Sequence, residues 1–283
     1  MWRRFLTFFM LAFFCVLIGK GWHWARDGFS LRRIQFPLMK AMESAPLSDE
    51  LNAMLEQPFF YLGRGHQSFA FLSKDQKYVL KLPRYDIYRM PFWMRSLPFL
   101  KEVRFTYLQE KKRRFSFLMN SFILANQEMK EETGLLFLHL NVTKNLKKTV
   151  SLVDPVGRRF EMDLDRSGFL LQKRCDLLIP LYLEAKREGD EEKRKEILKA
   201  VLTFHEERAR KGIHNKDPSF MRNIAFVEGH VVQIDVGSFY RQESQDFRTS
   251  FSKHAGHFRD FLKEEDPEME SWFSEQIEEI CQK

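Results

Sequence analysis

Two carboxylates and an amide dominate the chemistry this chain can do. Asn223 follows Asp217 by six residues, and Asp235 ends an apolar stretch just before Gly237. Carboxylate and amide oxygens are what a hard divalent cation prefers as ligands. A further carboxylate beside that cation can accept or orient the proton of an attacking hydroxyl. The set therefore suits magnesium held against a nucleoside triphosphate, and phosphoryl transfer is the chemistry it points to. Between Asn223 and Asp235 stand the apolar runs Ile224–Val227 and Val231–Ile234, joined by Glu228-Gly229-His230. That pattern predicts a hairpin, which sets its two flanking residues side by side.

The elements that must position these groups are legible upstream. Pro58–Leu62, Ser68–Leu72 and Tyr78–Leu82 read as strands of an antiparallel meander, with turns at Gly63-Arg64-Gly65 and Ser73–Gln76. Glycines between two strands exclude a dinucleotide fingerprint, which needs a helix N-terminus after the turn. A glycine-tipped flap, with Gly63, Gly65 and Ser68 along it, can instead lie over a triphosphate. Lys81 is the outlier in its strand, sharing a face with Val79 while Leu80 and Leu82 share the other. It reads either as a phosphate ligand or as a residue on a solvated face. Leu47–Glu56 and Phe99–Gln127 are predicted helices. Leu135–Asn141, Thr149–Val153, Phe160–Leu164 and Gly168–Gln172 are further strands, the middle two turning at Asp154–Gly157. From Leu177 the pattern becomes helical, with an amphipathic helix over Glu191–Lys211 stopped by Gly212 and a mostly helical tail. The fold class is α+β, a β-rich lobe with one helix followed by a short helical lobe.

The order of these pieces resembles the protein kinase-like superfamily over about residues 58–240. It looks more like the small branches, the lipopolysaccharide core sugar kinases, the RIO-type kinases and, distantly, the aminoglycoside phosphotransferases. The resemblance implies a bilobal fold and use of ATP and Mg2+. Gly63, Gly65 and Ser68 match the phosphate loop, with serine in place of the third glycine. Lys81 matches the strand lysine, and Glu102 its helix partner, with Glu110 as the alternative. Asp217 matches the catalytic-loop aspartate, Asn223 the metal-binding amide, and Asp235-Val236-Gly237 the second metal-binding motif. Gln172-Lys173-Arg174 matches the hinge that faces adenine. His214 precedes Asp217 by three residues and Asn223 follows it by six, one more on each side than the family pattern, and Asn215 could take part of the role of Asp217.

The chain has 283 residues, 46 Lys and Arg, 39 Asp and Glu, and a net charge of +7. From Arg241 onward 11 acidic residues face 6 basic ones, leaving 40 basic against 28 acidic residues before it. A basic body attracts phosphates or anionic lipid. Phenylalanine at helical spacing reads as core, so no nucleic-acid partner is expected. Cys15, Cys175 and Cys281 lie far apart with no paired spacing, so neither a zinc site nor a disulfide framework is expected and a reducing compartment fits. The basic run Lys111–Arg114, His205 on an apolar helix face and the acidic stretch Glu264–Glu270 have ordinary readings: a solvated face, a core histidine and a solvated helix start.

Phe5–Gly19 is apolar and uncharged, and Trp2 and Trp24 flank it at interfacial positions. A cleaved signal peptide is the competing reading, but no Ala-x-Ala site follows, so an uncleaved membrane anchor is expected. Basic residues after the run lean the body towards the cytoplasmic side. The expected organisation is an anchor over 1–24, a juxtamembrane linker over 25–57 and a kinase-like domain over 58–283, divided at Gln172. The expected function is a membrane-anchored phosphotransferase acting on a hydroxyl-bearing substrate with Mg-ATP, an envelope sugar being the preferred acceptor. The alternative is a kinase-like pseudoenzyme serving as a nucleotide-binding scaffold at the membrane.

Overall fold

A computed structural model describes residues 2–35, 45–95, 101–217, 220–242 and 246–282. Residues 36–44 of the expected linker and the expected start of the long helix at Phe99 lie outside the described residues. The fold is mixed α+β and divides into two compact units. One comprises residues 1–96 and 137–171, the other residues 97–136 and 172–283.

The first unit begins with helix α1 (Trp2–Ala25), followed by α2 (Leu31–Ile34) and α3 (Asp49–Leu55). The residues Phe5–Ala25 of α1 are long and apolar enough to cross a membrane, and none of that stretch is buried in the protein. At 1.5 Å per residue it is roughly 30 Å long, the thickness of a bilayer's hydrocarbon core. Ser48 caps α3, its hydroxyl accepting from the Leu51 N–H at 3.2 Å.

Strands β1 (Phe59–Arg64), β2 (Ser68–Ser73) and β3 (Tyr78–Pro83) form the expected meander. β1 runs on through Gly63 and Arg64, with a bulge between Tyr61 and Gly63, so the turn itself is only Gly65–Gln67. After α4 (Phe92–Arg95) the sheet gains β4 (Leu135–His139), β5 (Thr149–Val153), β6 (Arg159–Asp163) and β7 (Phe169–Lys173). The seven strands lie in the order β4-β7-β3-β2-β1-β5-β6 and curl into a half-barrel. β5 and β6 are the antiparallel hairpin read from the sequence, while β5 pairs with β1 in parallel.

The abundance of phenylalanine has a structural use here. Phe29 is buried against Phe71 at 5.1 Å, Phe69 at 5.3 Å and Phe160 at 6.1 Å between ring centroids, mostly edge to face. Such pairs contribute beyond their area burial. Phe29 follows α1 by a few residues, so this cluster also holds the end of that helix on the sheet. Arg26 Nε bonds the fully buried Asp154 carboxylate at 3.1 Å, and Arg158 reaches the same oxygen while its guanidinium lies 4.7 Å over Trp22. The hydroxyl of Tyr61 donates to Asp27 at 2.7 Å. Gly28 sits at φ +70°, and a Cβ there would come within 2.8 Å of the Arg33 and Arg64 guanidinium groups. The first residues of the stretch expected to be a linker are therefore packed structure.

The second unit holds α5 (Lys101–Glu128), α6 (Leu178–Glu188), α7 (Glu191–Arg210), β8 (Ile213–Asn215), β9 (Ile224–Val227), β10 (His230–Gln233), β11 (Phe239–Arg241), α8 (Phe247–Glu265) and α9 (Pro267–Gln282). The linear boundary at Gln172 counts α5 with the first lobe, but α5 clusters with the second unit. Asp190 caps α7 by accepting from the Lys193 N–H, and Gly212, at φ +62°, ends it. Ile197, Leu198 and Val201 on α7 are buried in a core with Phe251, Phe258 and Phe273. His205, read as a core histidine, is fully buried there.

The acidic stretch Glu264–Glu270 corrects one reading. Asp266 is not solvated but 3% exposed between α8 and α9, accepting from Tyr182 Oη at 2.8 Å and Arg194 Nη1 at 2.8 Å. Both partners lie more than seventy residues away in the chain, so composition alone read the stretch as surface. Burial pushes the Asp266 carboxyl up, but the hydrogen bonds from Arg194 and Tyr182 outweigh it and hold the group below its usual range.

Candidate active site

Asp217, Asn223 and Asp235 converge in the second unit through two nested strand pairs. The outer pair joins β8 to β11, with Asn215 opposite Phe239 and the Lys216 N–H donating to Ser238 O at 3.0 Å. Asp217 leaves one strand of that pair as the Asp235-Val236-Gly237 turn enters the other. The inner pair is the β9–β10 hairpin, whose turn places Glu228 at φ +51° and Gly229 at φ +82°. A two-residue turn with both residues left-handed matches strand twist, which is why glycine serves there. At the base of this hairpin the Ile234 N–H donates to Asn223 O at 2.8 Å. Asn223 and the residue before Asp235 are thus held together by a backbone hydrogen bond.

The side chains complete the arrangement. Asn223 Nδ2 donates to Asp217 Oδ2 at 2.5 Å. With its nitrogen so engaged, the asparagine presents its carbonyl oxygen as the atom able to meet a cation. Asn215 Oδ1 accepts from the Asp217 N–H at 2.8 Å, so Asn215 orients Asp217. Asp235 Oδ1 accepts from the Gly237 N–H at 3.1 Å, which fixes one carboxylate oxygen. Lys216 is turned away onto the rings of Phe117, at 4.6 Å, and Tyr240, at 5.0 Å. All three oxygen-bearing groups are half-buried.

The residue that fixes the Asp235 turn was not singled out from the sequence. Ser121, on α5, is fully buried. Its hydroxyl donates to Val236 O and accepts from the Phe239 N–H, each at 2.6 Å. One side chain therefore satisfies a donor and an acceptor of the segment that carries Asp235. The available signal was a lone serine amid Leu118, Met119 and Phe122 on a buried helical face.

His214 on β8 and His254 on α8 approach to 3.2 Å between ring nitrogens, and His205 on α7 stacks on His254 at 6.1 Å. Burial, then the charge of Arg208, pushes all three histidines below their ordinary range, His254 to about 2. At neutral pH they serve as uncharged packing among β8, α7 and α8. A hollow of about 600 Å³ lies in the same unit, lined by apolar Leu177, Ile179, Met221 and Phe261 and by Arg222 and Asp260. Met221 and Arg222 belong to the segment between Asp217 and Asn223.

The remaining sequence-predicted residues fall as follows. Gln172 is buried in the second unit, where its Nε2 donates to Thr133 O at 2.8 Å, and the Lys173 N–H donates to Gly134 O. Glu102 is exposed in the first turn of α5. The alternative, Glu110, is held by Arg113 and Arg114, whose hydrogen bonds bring it down to about 2. In the first unit Lys81 stands half-buried on β3 opposite Ala70. Gly65 donates its N–H to Ser68 O at 2.8 Å, closing the turn between β1 and β2, and Arg84 holds the carbonyls of Gly65 and His66. Gly63 has open space where a Cβ would be. The glycines keep this ribbon thin rather than supplying a left-handed backbone.

No known family description matches the chain, and no curated protein matches it. Two solved structures of WbdD match, one of them described as a bifunctional kinase-methyltransferase. Their TM-scores are 0.37 and 0.33 and their identities 16% and 17%, over 71% and 69% of this chain. The chain spans about a third of their length, 35% and 33% respectively.

Proposed function

We propose that this chain is a membrane-anchored, kinase-like phosphotransferase that uses Mg-ATP to phosphorylate a hydroxyl, with an envelope sugar as the acceptor class. The observation that carries the reading is the 2.5 Å hydrogen bond from Asn223 to Asp217, beside Asp235, on two nested strand pairs. The donor set fits magnesium: one amide oxygen and one carboxylate, from Asn223 and Asp235, are the hard oxygen ligands it takes. Among the described residues no group of three or more His, Cys, Asp or Glu could hold a metal alone. Bound there, Mg-ATP would supply the transferable phosphoryl group and neutralise its charge.

The residues of the chain then divide the work. Asp217, oriented by Asn215 and Asn223, would accept or steer the proton of the acceptor hydroxyl. Lys81 would meet the α- and β-phosphates beneath the Gly63–Ser68 ribbon. The hollow beside Met221 and Arg222 is the place proposed for the acceptor, where Phe261 offers an apolar face and Asp260 hydrogen-bond acceptors. Catalysis of this kind rests on positioning and charge.

A second reading, the nucleotide-binding pseudoenzyme, is favoured by one observation. The segment between Asp217 and Asn223 is a residue longer than the family pattern, and Asp217 is already engaged by that amide. The test is Mg-dependent ATP binding and phosphoryl transfer by the full chain in detergent, beside Lys81→Ala and Asp235→Ala. Binding lost in both variants together with wild-type turnover supports the enzyme. Binding without turnover on any acceptor supports the pseudoenzyme, and no binding refutes both.

A further inference from the structure

We propose that the segment Arg84–Met94 of the first unit is a second membrane contact, one that lies in the interfacial plane and seats its aromatic tip in an anionic bilayer surface. Phe92 is 82% and Trp93 58% exposed on α4, while the neighbouring Met94 is buried and ties the helix to the unit. Adjacent large aromatic side chains left in water on an ordered helix are uncommon without a partner. Trp is the residue that favours the headgroup level.

The occupant follows from how this segment is joined to α1. α2 begins six residues after α1 ends. The Tyr85 N–H donates to Arg33 O at 2.9 Å, Arg33 pairs with Asp86 at 3.3 Å, and Arg89 Nη2 donates to Gln35 O at 2.9 Å. The segment that leads into Phe92 is therefore strapped to the residues that leave the span. With Trp22 and Trp24 at the end of α1, a bilayer crossed by that helix has its headgroups at the level where α2 begins.

Charge points to the same partner. Arg26, Arg32, Arg33, Arg84 and Arg89 outnumber Asp27 and Asp86 across these two stretches, a net +3. Basic residues around exposed aromatic ones are the composition of an interfacial contact with anionic lipid. The inference rests on reading α1 as a membrane anchor.

The experiment reads both at once. The full chain, with Cys175→Ser and Cys281→Ser, is inserted into vesicles of phosphatidylcholine and phosphatidylglycerol carrying brominated acyl chains. The emission of Trp93 is taken as the difference between this protein and its Trp93→Phe variant. Embedding gives a blue-shifted difference emission that brominated lipid quenches, and Phe92→Ser shifts it back towards the red. In the same samples a water-soluble maleimide fails to label Cys15 when α1 is inserted. A water-like, unquenched Trp93 with Cys15 protected overturns the second contact while the anchor stands. Labelling of Cys15 overturns the anchor and the inference with it.

Discussion

Ser121→Ala is the most direct test of how the candidate site is held. The substitution removes one oxygen and leaves the helix propensity of α5 no worse. It strands two backbone groups, Val236 O and the Phe239 N–H, both now satisfied at 2.6 Å. Ser121 is fully buried, so water does not replace the hydroxyl. Leaving a buried donor or acceptor unmade costs about 1–3 kcal/mol each, so the pair predicts a loss of about 2–6 kcal/mol. That is a large part of a typical domain's total stability of about 5–15 kcal/mol. Urea unfolding of the full chain measures it, with Ser116→Ala, on the exposed face of the same helix, as the control expected within about 0.5 kcal/mol. Hydrogen exchange in residues 235–241 should rise selectively in Ser121→Ala, because that turn loses its tie. A variant within about 0.5 kcal/mol of wild type, with exchange unchanged there, would refute the reasoning.

Other expectations follow from the same contacts. Asp266→Ala leaves Arg194 buried without its carboxylate and should cost about 3–5 kcal/mol in an unfolding titration. Because the folded Asp266 titrates below its unfolded value near 3.8, its contribution is present above that pH and lost as acid carries the protein down through the folded value. The three buried histidines act earlier. Their folded values lie below 6.5, so the unfolded chain takes up protons first, and stability should fall as pH drops through about 6.5. A melting series from pH 8 to 5 should show that slope, flattened in His254→Gln. Gly229→Ala forces a Cβ onto φ +82° and should destabilise by at least about 1 kcal/mol, read as a lower melting temperature.

The sequence carried the local elements well and the distant pairings poorly. Periodicity located the strands β1 to β3, the β5–β6 and β9–β10 hairpins and α7 to within a few residues, because each depends on neighbours in the chain. Asp217, Asn223 and Asp235 were legible for the same reason: a short hairpin alone brings the last two together. The parallel pairing of β1 with β5 joins residues some ninety positions apart and has no local signature. The buried state of Asp266 depends on Tyr182 and Arg194, and the role of Ser121 on a turn far along the chain, so neither shows in composition. Gly65 looked like a phosphate-loop glycine, but its N–H is spent closing the turn on Ser68.

The weld of α1 to the sheet through Arg26, Asp154, Arg158 and Trp22 sets a limit on reach. A flexible leash the length of residues 25–57 would let the first unit wander roughly 30 Å from its anchor point. Phe29 in its aromatic nest and Asp154 between two arginines take up that slack at the outset. An inserted α1 would then carry the sheet at a fixed height and tilt, like a mast and its deck. Encounters with a membrane-borne partner would then become a search in two dimensions, at one level above the lipid. Asp154→Ala combined with Phe29→Ala would lengthen the leash without touching Lys81 or Asp235, and so would separate what the protein binds from where it can find it.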